Sequence, residues 1–153
     1  MFTEKLGLVA DGEISAKMDL INSRGEIVRD DKGEAGWIEF YGPDAQAVKN
    51  FRRQVEKDQI IEMHKEKRRG NKAPNEADAE RELDRIYGLL ADGLAKRTKD
   101  WRLLDAEGKD VKVPCTFENA KELFGHPDYE FLRREAQKFC EDQENFFTTN
   151  AGN

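Results

Sequence analysis

The sequence has few of the residues from which metal sites and disulfide frameworks are built. Its 153 residues include only two cysteines and two histidines. Cys115 and Cys140 are too few for a disulfide scaffold, although one bridge between them fits the count. His64 and His126 lie far apart, and no Cys-x-x-Cys or His-Glu-x-x-His motif is present. We therefore expect two reduced thiols, no bound metal and no other cofactor.

Long apolar runs and an export signal are also missing. No stretch of about 18 apolar residues occurs, so the sequence predicts no membrane-spanning segment. Residues Met1–Gly7 lack a basic region followed by an apolar one, which argues against a secretory signal. Charged residues make up 38% of the chain, and 26 basic against 32 acidic side chains give a net charge of −6. This composition predicts a soluble intracellular protein without a membrane partner.

The motifs of common enzymatic sites are absent as well. Neither Gly-x-Gly-x-x-Gly nor Gly-x-x-x-x-Gly-Lys-Ser/Thr occurs to hold a phosphate group. Cys115 follows Pro114, but no neighbouring residue supplies a base to activate its thiol. The many carboxylates fall on predicted solvated helix faces, often near a cation, as with Glu130 and Arg134. We therefore predict that the protein is not an enzyme.

The β-structure is predicted in two places. Alternating apolar residues over Ile14–Leu20 indicate a half-buried strand, and residues 26–29 and Trp37–Tyr41 indicate two more, separated by Gly and Asp turns. A small β-hairpin is predicted over residues 101–113, on either side of the turn Asp105–Lys109.

Apolar stripes and capping residues predict four helices. Their predicted limits are Pro43 or Asp44 to Gly70, Asn75 to about Lys96, Thr116 to Gly125, and His126–Asp128 onwards. The short connection at residues 70–75 predicts that the first two helices form an antiparallel hairpin. The fold is thus predicted to be α+β and predominantly α-helical. We assign residues 14–147 to one globular domain, 1–13 to a flexible arm and 148–153 to a disordered tail.

One segment is basic although the chain is acidic. Residues 49–72 hold nine Lys or Arg and four acids. Such an excess can contact nucleic acid, but the interspersed acids weaken its field, and cations near a helix C-terminus are stabilising in any protein. An acidic protein partner is therefore the better supported interpretation of this segment.

Several apolar residues lie outside the regular helical stripes. They are Phe2, Ile60, Ile61, Met63, Phe146 and Phe147. These side chains either complete the core or form a contact surface for another chain.

The order of the segments provides a further indication of function. The informative stretches are Trp37–Asp44, Val48–Arg53, Trp101–Leu104 with Gly108, Thr116–Ala120, Leu123–Phe124 and Glu144–Phe147. In this order, over residues 14–147, the chain resembles small phage tail-module proteins of the tail assembly chaperone type. The resemblance implies an assembly factor of the host bacterial cytoplasm that binds and solubilises the tape measure protein. It also implies that the factor helps to recruit tail tube subunits and is absent from the finished particle.

If the resemblance holds, the client must bind to the apolar residues that the predicted helices leave available. The candidate protein-binding residues are Phe51, Val55, Ile60, Ile61, Met63, Phe146 and Phe147, with Arg68 and Arg69 as electrostatic support. A structural virion protein (a tail, connector or head accessory subunit) is the alternative function. A nucleic-acid-binding regulator acting through residues 49–72 is the third interpretation, and self-association into a homo-oligomer stays open.

Overall fold

The computed structural model describes residues 1–69 and 75–147, except for the side chains of Arg68 and Arg69. In chain order its elements are α1 (Thr3–Leu6), β1 (Ser15–Asp19), β2 (Trp37–Tyr41), α2 (Gln46–Arg69), α3 (Glu76–Arg97), β3 (Thr98–Leu104), β4 (Asp110–Val111), α4 (Phe117–Gly125), a 3-10 turn (Pro127–Tyr129), α5 (Glu130–Glu141) and α6 (Glu144–Phe147). The predicted class, α+β with mostly helix, is confirmed. The predicted linker at 70–75, apart from Asn75, and the predicted tail at 148–153 lie outside the described residues. None of the helices in the described ranges combines the length and the apolar character needed to cross a bilayer.

In the described part of the chain, the strands form one antiparallel sheet in the order β1-β2-β3-β4. β2 lies between β1 and β3: Met18 and Trp101 both pair with Ile38, from opposite sides. The predicted N-terminal strands and the predicted β-hairpin therefore belong to a single sheet. The hairpin itself is confirmed, with Leu103 opposite Val111.

The strand predicted at residues 26–29 is wrong. Residues 20–36 instead form a folded loop in which the Val28 N–H donates to the Leu20 carbonyl, and the Gly36 N–H donates to the Val28 carbonyl. The turns at Gly25 and Gly33 use φ of 79° and 81°, which glycine adopts without strain. Because these two turns are only eight positions apart, the segment between them forms isolated β-bridges and is too short to form a continuous β-ladder.

Two helix starts predicted from capping residues are confirmed, whereas the residues predicted to begin the last helix form the 3-10 turn that precedes α5. Asn75 Oδ1 accepts a hydrogen bond from the Asp78 N–H, and the Asp78 carboxylate accepts one from the Asn75 N–H, which is a capping box. The Thr116 hydroxyl accepts from the backbone N–H three residues later, at the start of α4. His126 Nδ1 accepts from the Asp128 N–H at the 3-10 turn. α2 begins at Gln46, slightly later than expected, because the preceding residues form a turn.

The hydrophobic core lies between the sheet and helices α3 to α6. Phe40 of β2 lies near its centre, with its ring centroid 6.1 Å from that of Phe124 and 6.0 Å from that of Phe139. α2 differs from these helices: in its described part, Val48, Phe51 and Val55 are half-buried and no side chain is fully buried. Burial of apolar area is the main source of stability. Because the apolar side chains of α2 are only half-buried, and Phe51 packs on Gly93 of α3, the stability of α2 depends on its contact with α3 rather than on the hydrophobic core.

Candidate functional site

The first candidate surface is on the outer part of the α2–α3 hairpin. We call residues 56–69 of α2 and 76–88 of α3 the distal hairpin, and every residue of it whose burial is described is exposed. Six large apolar side chains of the distal hairpin, which we call the hairpin ridge, are exposed by about half. They are Ile60, Ile61 and Met63 on α2, and Leu83, Ile86 and Tyr87 on α3. Several exposed large apolar side chains on one hairpin can take part in a protein-binding surface.

The ridge is exposed because α2 packs on α3 closely only near the body of the protein. There Gly93 of α3 faces the ring of Phe51, and a methyl group on residue 93 would lie 2.9 Å from the Phe51 Cε1 atom. Further out, the closest ion pairs join residues of one helix, Lys65 with Glu62 in α2 and Arg85 with Glu82 in α3. Exposed pairs of this kind stabilise a helix by only a few tenths of a kcal/mol.

A crevice of about 360 Å³ separates the two helices at the base of the distal hairpin. Three of the residues that line it are apolar, Val55, Ile61 and Leu89, and the other five are polar or charged: Asp58, Gln59, Glu62, Lys65 and Arg85. Its volume is enough for one or two apolar side chains of a partner. The hairpin therefore offers exposed apolar side chains beside a crevice of mixed apolar and charged lining.

The predicted protein-binding residues have different positions in the structure. Ile60, Ile61 and Met63 are 57%, 52% and 59% exposed. Phe51 and Val55 are half-buried between α2 and α3, and Phe147 is 45% exposed. The side chains of Arg68 and Arg69 lie outside the described residues.

Phe146 is not a contact residue. It is fully buried, although it lies next to Phe147 in the sequence. Its ring centroid lies 5.7 Å from that of Phe139, and the Arg97 guanidinium carbon lies 4.9 Å from the ring centre on its face. The prediction for Phe146 is therefore wrong, because the turn after α5 returns the chain to the core.

The second candidate surface was not predicted from the sequence. A groove of about 660 Å³ lies between the β3–β4 hairpin with the loop at 20–28 on one side, and α4, the 3-10 turn and α5 on the other. We call it the acidic groove. Its apolar lining includes Trp101, Leu103, Val111, Val113, Leu123, Tyr129 and Phe131.

The polar lining of the acidic groove consists of three acids and of Asn22, Ser23, Asn119 and His126. Asp105, Glu122 and Asp128 are part of its lining, and no Lys or Arg is present among the described residues that form it. Asp105 accepts hydrogen bonds from the backbone N–H groups of Lys109 and Glu107, which hold its pKa below the ordinary value of 3.8. The groove thus combines apolar walls with a negative edge.

The two thiols are poor nucleophiles in this fold. Burial raises the pKa of the Cys140 thiol to about 12 and that of the half-buried Cys115 thiol to about 11. Both are free cysteines. Among the described residues, no group of three or more His, Cys, Asp or Glu is placed to hold a metal ion.

Comparison of the chain with protein-family models, with curated proteins and with solved structures finds no match.

Proposed function

We propose that this chain is a non-enzymatic phage tail assembly chaperone that binds the tape measure protein through the distal hairpin. In this role it keeps the tape measure protein soluble and helps to recruit tail tube subunits. The hairpin ridge is the observation that carries the proposal, because six large apolar side chains there are each 38–59% exposed. The proposal that the client is a tape measure protein rests on the resemblance to tail assembly chaperones in the order of segments along the sequence.

The geometry of the distal hairpin suits a helical client. An amphipathic helix presents apolar side chains three and four positions apart, and these can pack along the ridge while one of them enters the crevice beside Val55 and Leu89. A tape measure protein is long and largely helical, so it offers many such stripes. The charged side chains on the remaining faces of the hairpin keep the complex dispersed.

The expected affinity fits an assembly factor that must later release its client. The six side chains are already about half-buried, so burying their remaining exposed area would contribute roughly 5–9 kcal/mol. Association costs roughly 4–15 kcal/mol in lost freedom of motion. The difference leaves a reversible complex rather than a permanent one.

Co-expression with tagged tape measure and tail tube proteins tests the proposal. We expect the chain to be captured with the tape measure protein and to increase its soluble fraction. The variant I60A/I61A/M63A should lose capture while its unfolding midpoint stays within a few degrees of the wild type. A matched control, R53A/E56A/H64A, changes three exposed polar residues of the same helix and should retain capture.

Two results would contradict the proposal. One is full capture by a folded I60A/I61A/M63A variant, which would remove the ridge from the contact. The other is mass spectrometry of purified particles in which the chain is present in stoichiometric amount, as a virion subunit would be.

A further inference from the structure

We propose that the acidic groove binds a basic amphipathic segment of a partner protein, whose apolar side chains lie between the walls and whose Lys or Arg side chains pair with the acids. The groove is a different surface from the hairpin ridge, and this proposal does not depend on the function proposed above. It rests on the open apolar walls, on acids that lack a Lys or Arg partner, and on aromatic rings that no cation of the chain covers.

The walls of the acidic groove are able to accept apolar side chains. Tyr129, Val111 and Val113 line it and are 43%, 39% and 37% exposed. The Trp101 indole N–H already donates to the Val113 carbonyl, so this ring offers the groove an apolar surface rather than a free donor. Removal of such walls from water is favourable. The volume of about 660 Å³ lies within the range of roughly 300–1,000 Å³ that is usual for binding clefts.

The acids of the groove are not neutralised by the chain itself. They are Asp105, Glu122 and Asp128. Among the described residues, none of the three forms an ion pair with Lys or Arg, and the one pair that involves them joins Asp128 to His126 at 3.8 Å. The charge of Lys109 helps to lower the pKa of Asp105, but its ammonium group pairs with Glu107 at 3.6 Å. The edge of the groove therefore keeps a negative charge that a partner can neutralise.

The aromatic rings of the groove are also available to a cation. Elsewhere in the described ranges a Lys or Arg side chain lies over five rings, those of Trp37, Tyr41, Tyr87, Phe117 and Phe146. Tyr129 and Phe131 line the groove with their ring centroids 6.2 Å apart, and no cation from the described residues lies over either ring. A Lys or Arg of a partner would be attracted both to these ring faces and to the acids beside them.

The sign of the charge selects among the possible occupants. The phosphates of a nucleic acid, an anionic membrane surface and an acidic peptide would each meet the carboxylates as like charges. A small molecule usually has roughly 70–90% of its surface buried in its site, whereas the exposed walls leave this groove open on one side. A basic amphipathic segment matches both the apolar walls and the acidic edge.

The N-terminal segment of the same chain matches the groove less well. Phe2 and Leu6 are 74% and 56% exposed and would suit the walls. However, Glu4 and Lys5 are its charged side chains and cancel, so Met1–Val9 brings no net positive side-chain charge to the acids. Because this segment is long enough to reach the groove, the experiment includes a variant that reports on it.

The direct probe is an eight-residue peptide, Leu-Lys-Lys-Leu-Leu-Lys-Lys-Leu, capped at both ends, with a comparison peptide in which Glu replaces every Lys. The chain has two tryptophans, so a W37F background leaves Trp101 in the groove as the only indole signal. We expect the Lys peptide to shift this fluorescence saturably, with an affinity that falls as salt is added, and the Glu peptide to leave it unchanged.

Two charge-neutralising variants locate the binding. E122Q/D128N removes two acids of the groove and should weaken the Lys peptide by about tenfold. E80Q/D84N removes the same charge from the distal hairpin and should leave the affinity unchanged. All four residues are exposed, so both variants should keep the unfolding midpoint of the wild type in urea.

The proposal is overturned by any of four results. The first is a Trp101 signal that the Lys peptide does not shift saturably. The second is equal binding of the Glu peptide, which would make the contact apolar only. The third is an equal loss of affinity in E80Q/D84N and E122Q/D128N, which would place the effect outside the groove. The fourth is a change of the peptide-free Trp101 signal in F2S/L6S, because the N-terminal segment would then occupy the groove of its own chain.

Discussion

Arg102 Nη2 lies 2.8 Å from Asp30 Oδ2, which joins two residues 72 positions apart in the sequence. Arg102 is on β3, and its Nε also donates to Asp110 Oδ1 on β4 at 2.9 Å. Asp30 belongs to the folded loop at 20–36, whose Leu20–Val28 part lines the acidic groove. One guanidinium therefore fastens the loop to the β3–β4 hairpin and fixes the shape of one wall of the groove.

Replacement of Asp30 by Asn should lower stability in a pH-dependent way. The hydrogen bond from Arg102 and the backbone N–H groups of Glu34 and Lys32 hold the pKa of Asp30 below its ordinary value of 3.8. A carboxylate with a lowered folded pKa stabilises the protein above its unfolded pKa, and that contribution is lost as the pH falls through the folded value. Urea unfolding of wild type and D30N from pH 7 to pH 2 should show a difference that is constant above about pH 5 and disappears in acid. Exposed Asp31, changed to Asn, is the control, and an equal difference for D30N at pH 2 and pH 7 would contradict the assignment.

The adjacent residues Phe146 and Phe147 should respond very differently to truncation. Phe146 is fully buried against Phe139, so F146A should cost about 3–5 kcal/mol of unfolding free energy through lost burial and the cavity left behind. Phe147 is 45% exposed, and F147A should cost less than about 1 kcal/mol. Chemical denaturation of both variants measures the difference. Equal losses would mean that the end of α6 packs otherwise than described.

Two glycines of α3 provide a matched pair of substitutions. A methyl group on Gly88 meets nothing within 4 Å, so G88A should stabilise the helix by about 0.5–1 kcal/mol. On Gly93 the same methyl group presses on the Phe51 ring, so G93A should gain less or lose stability. In a protein that already carries F51A, the G93A substitution should stabilise α3 as G88A does, because the ring that the new methyl group would press on is gone. A double-mutant cycle from unfolding free energies measures this coupling. A coupling near zero would show that Phe51 does not hold α2 against α3.

The two thiols should react slowly in the folded protein. With pKa values of about 11 for Cys115 and about 12 for Cys140, only a very small fraction of either is thiolate at pH 8. Reaction with an aromatic disulfide reagent at pH 8 should therefore be slow in buffer and fast in denaturant. In the C115S variant only Cys140 can react with the reagent. Because Cys140 is buried, this variant should react only after unfolding. Rapid labelling of the folded protein at pH 7 would contradict these pKa directions.

Features that depend on neighbouring residues could be predicted from the sequence. The capping box of Asn75 with Asp78 and the cap of Thr116 each involve residues three positions apart, and their outcome is decided within one helical turn. The alternation of apolar and polar residues around Met18 predicts β1, and the apolar and aromatic residues of Trp37–Tyr41 predict β2. These local signals were sufficient for the α+β class.

Features that depend on distant residues were not predictable in this way. Trp101 pairs with Ile38 across the sheet, and no pattern near either residue specifies the other. The acidic groove is assembled from residues 20–28, 101–113 and 119–132, so no single segment contains its signature. The burial of Phe146 could not be predicted from helical periodicity, because α5 ends at Glu141 and its apolar stripe does not extend to residue 146.

The absence of a fully buried side chain in the described part of α2 has a consequence for how the molecule unfolds. The outer turns of the hairpin can separate without exposing the sheet, so their amide protons should exchange with deuterium through local opening, long before those of β2 and β3. A ligand that binds to these outer turns of the hairpin must suppress their local opening. Slower deuterium uptake confined to the outer turns would then reveal occupancy directly in a cell extract, before the ligand itself has been identified.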